Sequence, residues 1–273
     1  MRDQSKITSL SRSLTEWADR AANVRFLREE QEKVLIDAAS EPRLRAQVPV
    51  AAWMLGTWHL GHGLARVLRG DGRGFDEARN GQALRRCSLL LRDRNRPTLR
   101  PGQAELPFSL TQAALTTLFA LALDDPGAEP LYALVEAIPD RRFDTGDHLA
   151  LFTRELLTLR AGRRSTVAAQ LGPYQEVILH WTDDQALLAL RIASALDVHL
   201  QQADRRSGPF EDRPARLYPV EAIALTNVRR WLELPTPKIE HALMFTNLAT
   251  MKPTGPWPRH RLVGRLERQL ARR

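Results

Sequence analysis

Trp53-Met54-Leu55-Gly56-Thr57-Trp58-His59-Leu60-Gly61-His62-Gly63 is the stretch that decides the fold. It carries no acidic or basic residue apart from its two histidines, and wound at helical pitch it is apolar on nearly every side. A helix of that kind sits in the middle of a protein rather than on its surface. Gly56 and Gly63 lie seven residues apart on one face. Each costs helix stability, but each also lets a second backbone approach closely. The helix is expected to run from about Arg43 to Arg69, with Pro49 near its first turns. The Gly70-Asp71-Gly72-Arg73-Gly74 cluster turns the chain back.

Helical periodicity continues on both sides. Upstream, Ser13-Leu14-Thr15-Glu16 has the form of a capping box. Leu14, Trp17, Ala21, Val24, Leu27, Gln31, Val34 and Ala38 then recur at helical spacing up to the stop at Pro42. Downstream, helices are expected at about Phe75–Arg92, Ser109–Leu123, Glu129–Ile138, Asp144–Ala161, Ser165–Thr182 and Asp183–Ala203, with Asp144 and Asp183 as N-caps. Val220–Leu234, Ile239–Ala249 and Pro258–Arg272 complete the chain, with Pro219 opening the first of these and Pro235-Thr236-Pro237 stopping it. No useful stretch alternates with period two. The pattern predicts an all-α protein, an irregular stack of about ten antiparallel helices with no sheet. Helix pairs of roughly 35–45 residues resemble a helical-repeat array, but no residue pattern recurs at a fixed period. The 273 residues suit one helical domain, 1–273. The proline-rich break from Asn95 to Pro107 offers the alternative of subdomains 1–95 and 107–273.

Cys87 is the sole cysteine, so no intramolecular disulfide forms, which suits a reducing compartment. Met1–Ser13 lacks the apolar run of a signal peptide. The longest apolar runs, Val48–Leu55 and Leu115–Leu123, are too short to cross a bilayer. A soluble, cytoplasmic protein without membrane partners is expected. The net charge is +8, and nearly all of the excess is arginine, since the lysines are Lys6, Lys33, Lys238 and Lys252. Together with a pI near 10.4, this raises nucleic acid as a partner, above all through Arg259, Arg261, Arg265, Arg268, Arg272 and Arg273. The same skew also follows from the codon usage of a GC-rich genome. Because arginines are interspersed with 32 acidic residues, solvated helix faces are the expected reading.

The groups that could carry chemistry each have a structural alternative. His59 and His62 are three apart on one helix, yet the HExxH glutamate is absent and zinc needs three or four ligands. Asp183-Asp184 after His180-Trp181, and Asp76-Glu77, read as helix-start acids. Cys87 sits among leucines and reads as a buried structural thiol. No nucleophile elbow, phosphate loop, dinucleotide fingerprint or zinc finger is present. The site expectation is therefore no catalytic, cofactor-binding or metal residue, and no cofactor. Trp17, Trp53, Trp58, Trp181 and Trp231 are assigned to the core. Trp257, between Pro256 and Pro258, is either a latch for the last helix or an exposed contact residue.

The C-terminal third adds a resemblance. Leu217-Tyr218-Pro219-Val220-Glu221-Ala222-Ile223-Ala224-Leu225, Trp231-Leu232-Glu233-Leu234-Pro235-Thr236-Pro237 and His241-Ala242-Leu243-Met244 resemble the end of a helical family of bacterial immunity proteins, immunity protein 49, found beside polymorphic toxins. The resemblance spans about 60 residues. It implies a protein that binds and blocks a cognate toxin, without cofactor or catalytic residues, and it implies structural anchoring by Tyr218, Glu221 and His241. A basic surface would favour a toxin with an acidic contact face. A nucleic-acid-binding helical protein and an enzyme of unrecognised type are the alternatives.

Overall fold

A computed structural model describes residues 2–95, 106–164, 170–205, 208–258 and 260–272. Most of the Asn95–Pro107 break, the first five residues of the helix expected at Ser165–Thr182, Arg259 and Arg273 lie outside the described residues. The architecture is all-α, with no strand among the described residues. In order, the helices are α1 (Arg2–Asp19), α2 (Ala21–Asn23), α3 (Glu30–Asp37), α4 (Val48–Leu68), α5 (Gly74–Arg94) and α6 (Leu110–Leu123). They continue with α7 (Glu129–Glu136), α8 (His148–Arg160), α9 (Gln175–Leu179), α10 (Gln185–Gln202), α11 (Val220–Trp231), α12 (Asn247–Thr250) and α13 (Arg261–Ala271).

The antiparallel α4–α5 hairpin packs backbone to backbone. A Cβ on Gly56 would stand 2.7 Å from the Gly81 carbonyl, and one on Gly63 would stand 2.5 Å from Gly74 O and Ala78 N. Gly74 and Gly81 of α5 repeat the seven-residue spacing of Gly56 and Gly63, so each helix offers the other a smooth face. That second pair went unread in the sequence. A third approach lies across α4, where the Trp17 ring rests on Gly61. α6 is enclosed more completely than α4, with every residue from Ala113 to Leu123 buried. The main core gathers around it from α1, α8, α10 and α11. A second cluster joins Leu35, Leu55, Leu84, Leu91, Leu262 and Leu266, so α13 closes over the α3–α5 face.

Several helix ends differ from expectation. The Ser13–Glu16 pattern starts no helix, because α1 already begins at Arg2 and buries Ile7, Leu10, Leu14 and Ala18. Ser13 instead accepts a hydrogen bond from Arg213 at 3.1 Å. The expected helix over 13–38 breaks at Arg20, whose backbone is extended. Asn23 Nδ2 donates to the Trp17 carbonyl there at 2.7 Å, and Val24–Glu29 is wound as a π-helix before α3. Pro42–Gln47 is a 3₁₀ helix, so α4 starts with Pro49 in its first turn. A capping box does form at Ser109–Gln112, before α6. Asp144 precedes α8 by four residues and is not its N-cap; its N–H bonds the Asp147 carboxylate at 2.8 Å. Asp184, rather than Asp183, caps α10. Of the helix expected to end at Thr182, α9 is a single short piece after a 3₁₀ turn at Gly172–Tyr174. The segment from Ile239 is mostly not α-helical: a 3₁₀ turn at Ala242–Phe245 follows a His241 cap, and extended Thr246 interrupts it before α12.

Among the described residues, four helices finish in a left-handed residue, at Gly70, Asp124, Gly162 and Glu233. In each, the next residue's N–H reaches back across the turn, as in Leu234 N to Arg229 O at 2.9 Å and Asp125 N to Ala120 O at 2.9 Å. Two of the four lack glycine, a strain of about 1 kcal/mol each. Asp124 is held there by Arg230 at 3.1 Å.

Candidate functional site

His59 and His62 emerge from α4 one turn apart and meet α5 at Glu77. Their Nδ1 atoms lie 3.2 and 2.8 Å from its two carboxylate oxygens, and Arg66 adds a third contact at 3.3 Å. Arg66 also clasps Asp71 of the interhelical turn at 2.6 Å. Burial alone would raise the Glu77 pKa. The His59 and His62 hydrogen bonds outweigh that and bring it down to about 2. His62 stacks on Trp58 with ring centres 4.6 Å apart, and His260 comes within 5.7 Å of His59. Burial, then the nearby His59, pulls the His260 pKa below its ordinary value. Glu77 is thus the carboxylate partner of the histidine pair, supplied by the next helix fifteen residues on. A helix-start acid was legible there, but its tertiary role was not. No group of three or more His, Cys, Asp or Glu side chains is placed to hold a metal ion among the described residues.

A second constellation lies on the other side of the α4–α5 hairpin. A cleft of about 610 Å³ is lined by Trp17, Trp53, Thr57, Arg85, Arg213 and Arg216, and by the acidic Glu211 and Asp212. Arg85 is fully buried, its guanidinium 4.3 Å from the Trp53 ring centre, and its Nη1 donates to Asp212 at 2.6 Å. Its Nε and Nη2 have no hydrogen-bond partner among the described residues. Leaving charged donors unmet costs on the order of 1–3 kcal/mol each. The loop carrying Arg213 and Arg216 is fixed from below. Buried His199 lies 2.6 Å from Glu221 of α11, stacks on Phe210 at 3.8 Å, and has its Nε2 3.2 Å from the Arg216 carbonyl. This cleft was missed in sequence, because Arg85 and Asp212 are 127 positions apart and arginines are ordinarily exposed.

The remaining candidates have structural partners. Cys87 is buried between Leu84 and Leu91 at the second core cluster, and burial pushes its thiol up to about 12. Asp183 pairs with His180 at 2.7 Å, while the Asp184 carboxylate accepts the Ala186 N–H. Trp58 and Trp181 are buried, and Trp17 and Trp53 are half-buried against the core. Trp231, expected in the core, is 40% exposed, covered on one side by Arg160 at 5.6 Å. Trp257 packs against both core clusters beneath Arg79, which supports the latch reading. Of the terminal arginines, Arg261 pairs with Glu32 at 3.0 Å and Arg265 donates to the Ile36 carbonyl at 3.1 Å. Both tie α13 to α3. Arg268 and Arg272 line a groove of about 520 Å³ with Arg45.

The segment carrying the family resemblance is built into this frame. Tyr218 is buried and stacked on Phe119 at 5.4 Å, Glu221 holds His199, and His241 reaches Asp197 at 3.2 Å. Arg229 Nε donates to the Pro235 carbonyl at 2.8 Å, closing the Leu-Pro stop. No helix among the described residues is long and apolar enough to cross a membrane. No family model matches the chain, and neither the curated proteins nor the solved structures contain a significant match to it.

Proposed function

We propose that this protein is a cytoplasmic toxin-neutralising immunity protein of the immunity protein 49 type, which binds and blocks a cognate bacterial toxin by direct protein–protein contact. The observation that carries the reading is the Leu217–Met244 stretch and its resemblance to that family. In support, the three residues for which the resemblance implies anchoring, Tyr218, Glu221 and His241, each hold a defined partner. The excess of arginine favours a toxin with an acidic contact face, since charge complementarity speeds association and sharpens specificity. The protein blocks its target by occupying it and supplies no group to a reaction.

The test is genetic and then biochemical. The toxin encoded beside this gene, produced alone, stops growth of the host; co-production of this protein restores it, and the two co-elute as a stable complex. A neighbouring gene encoding no secreted toxin, with no rescue of any toxic partner, sinks the proposal. Binding to duplex or single-stranded nucleic acid that weakens steeply with salt moves the reading to the nucleic-acid alternative.

A further inference from the structure

Four of the twelve buried side-chain polar atoms without a hydrogen-bond partner among the described residues belong to three residues that line one cleft: Thr57 Oγ1, Arg85 Nε, Arg85 Nη2 and Arg216 Nε. Such atoms are rare in folded proteins, so their gathering at one concave place calls for a ligand. The two on Arg85 are the informative ones. Nε and Nη2 share the guanidinium edge that presents two parallel N–H groups, the spacing that matches the two oxygens of a carboxylate. Asp212 takes Nη1 and leaves that edge unused. The plane of the guanidinium cannot turn to find another partner, since it lies against Trp53 at 4.3 Å and Phe119 at 5.8 Å.

The neighbouring arginines are spent on neutral acceptors. Arg213 donates to the Ser13 hydroxyl at 3.1 Å and Arg216 to the Glu211 carbonyl at 3.2 Å. Burial, with Arg216 and Arg20 adding to it, pulls the Arg213 pKa down, as expected where positive charge is crowded. We propose that this cleft binds a carboxylate, received on the Nε–Nη2 edge of Arg85 and flanked by Arg213 and Arg216, with Trp17 and Trp53 walling the apolar group that carries it. Three guanidiniums against Glu211 and Asp212 leave one positive charge over, which matches a singly charged carboxylate rather than a phosphate near two negative charges. A free organic acid and an acidic side chain of a protein partner both present this group, and the site is defined independently of the toxin-neutralising reading.

The whole chain is titrated calorimetrically, and by tryptophan fluorescence, with benzoate, inorganic phosphate and a glutamate-rich peptide. Benzoate and the peptide bind saturably and compete with each other, and phosphate binds at least about tenfold more weakly. Because loss of Arg85 threatens the core, half-buried Arg213 and Arg216 carry the test. Arg213→Gln and Arg216→Gln each weaken carboxylate binding about tenfold or more, the worth of a charge-assisted hydrogen bond, with the thermal transition unchanged. A peptide that binds more tightly than benzoate assigns the carboxylate to a protein partner, and the reverse order assigns it to a free acid; both uphold the site. Absence of saturable binding by either carboxylate, phosphate binding as tightly, or unaltered affinity in both variants overturns it.

Discussion

Glu77 is a half-buried carboxylate whose charge is maintained by three donors, and that makes it a reporter of pH. Its pKa falls from 4.5 in the unfolded chain to about 2 in the fold. A depressed carboxylate contributes stability that is complete above the unfolded value and is lost as pH falls through the folded one. The shift corresponds to about 3 kcal/mol, less whatever solvent screens. Glu77→Gln is therefore expected to cost about 2–3 kcal/mol at pH 7 in urea unfolding, and the gap to the native protein narrows between about pH 4.5 and 2. A gap as wide at pH 2.5 as at pH 7 would show that Glu77 acts by shape rather than charge. At this scale the sequence was legible where a residue acts through its own helix, as Asp184 nearly was, one position from the expected cap. Residues that act across the fold were not legible. Arg85, Arg86 and Gln82 look like a solvated face in α5 and are all buried.

Among the elements, the α4–α5 hairpin was the most readable feature, because glycine has one use on an apolar helical face and Gly56 and Gly63 put it there. The physical test sets two effects of opposite sign against each other. Alanine favours a helix over glycine by about 1 kcal/mol. At Gly63 the new methyl would meet backbone atoms of Gly74 and Ala78 at 2.5 Å, and neither helix can yield without moving whole. Overpacking of this kind costs about 1–3 kcal/mol or more. Gly63→Ala should therefore lower the melting temperature, whereas Gly264→Ala in α13, whose nearest neighbour is the flexible tip of Arg268 at 3.6 Å, should raise it. Equal shifts in the same direction at both positions would refute close backbone packing. The Ser13–Glu16 pattern misled for a related reason. A capping box is two residues of local chemistry, and the four apolar residues that α1 buries before, within and after it carry more free energy.

Over the whole molecule, Arg86 is the pin that joins distant parts. It is buried in α5, donates to Asp125 after α6 at 2.8 Å, and reaches Glu267 of α13 at 2.8 Å. Asp125 is wholly buried and Glu267 is largely exposed, so the two partners are unequal. Asp125→Ala strands a buried guanidinium and is expected to cost about 3–5 kcal/mol, while Glu267→Gln costs about 1 kcal/mol or less in the same urea titration. Similar losses for both would mean that α13, not Asp125, carries the charge. The all-α class was legible from periodicity, but these long-range closures were not, since no local pattern says which helix returns to which. The closure by α13 has a consequence in time. Leu262, Val263 and Leu266 complete a core whose other buried members come from the first hundred residues, and Arg261 and Arg265 tie to partners 229 positions earlier. On a ribosome, α3–α5 must wait with that apolar face bare until α13 emerges, and over that interval the chain is a client for whatever shields nascent proteins.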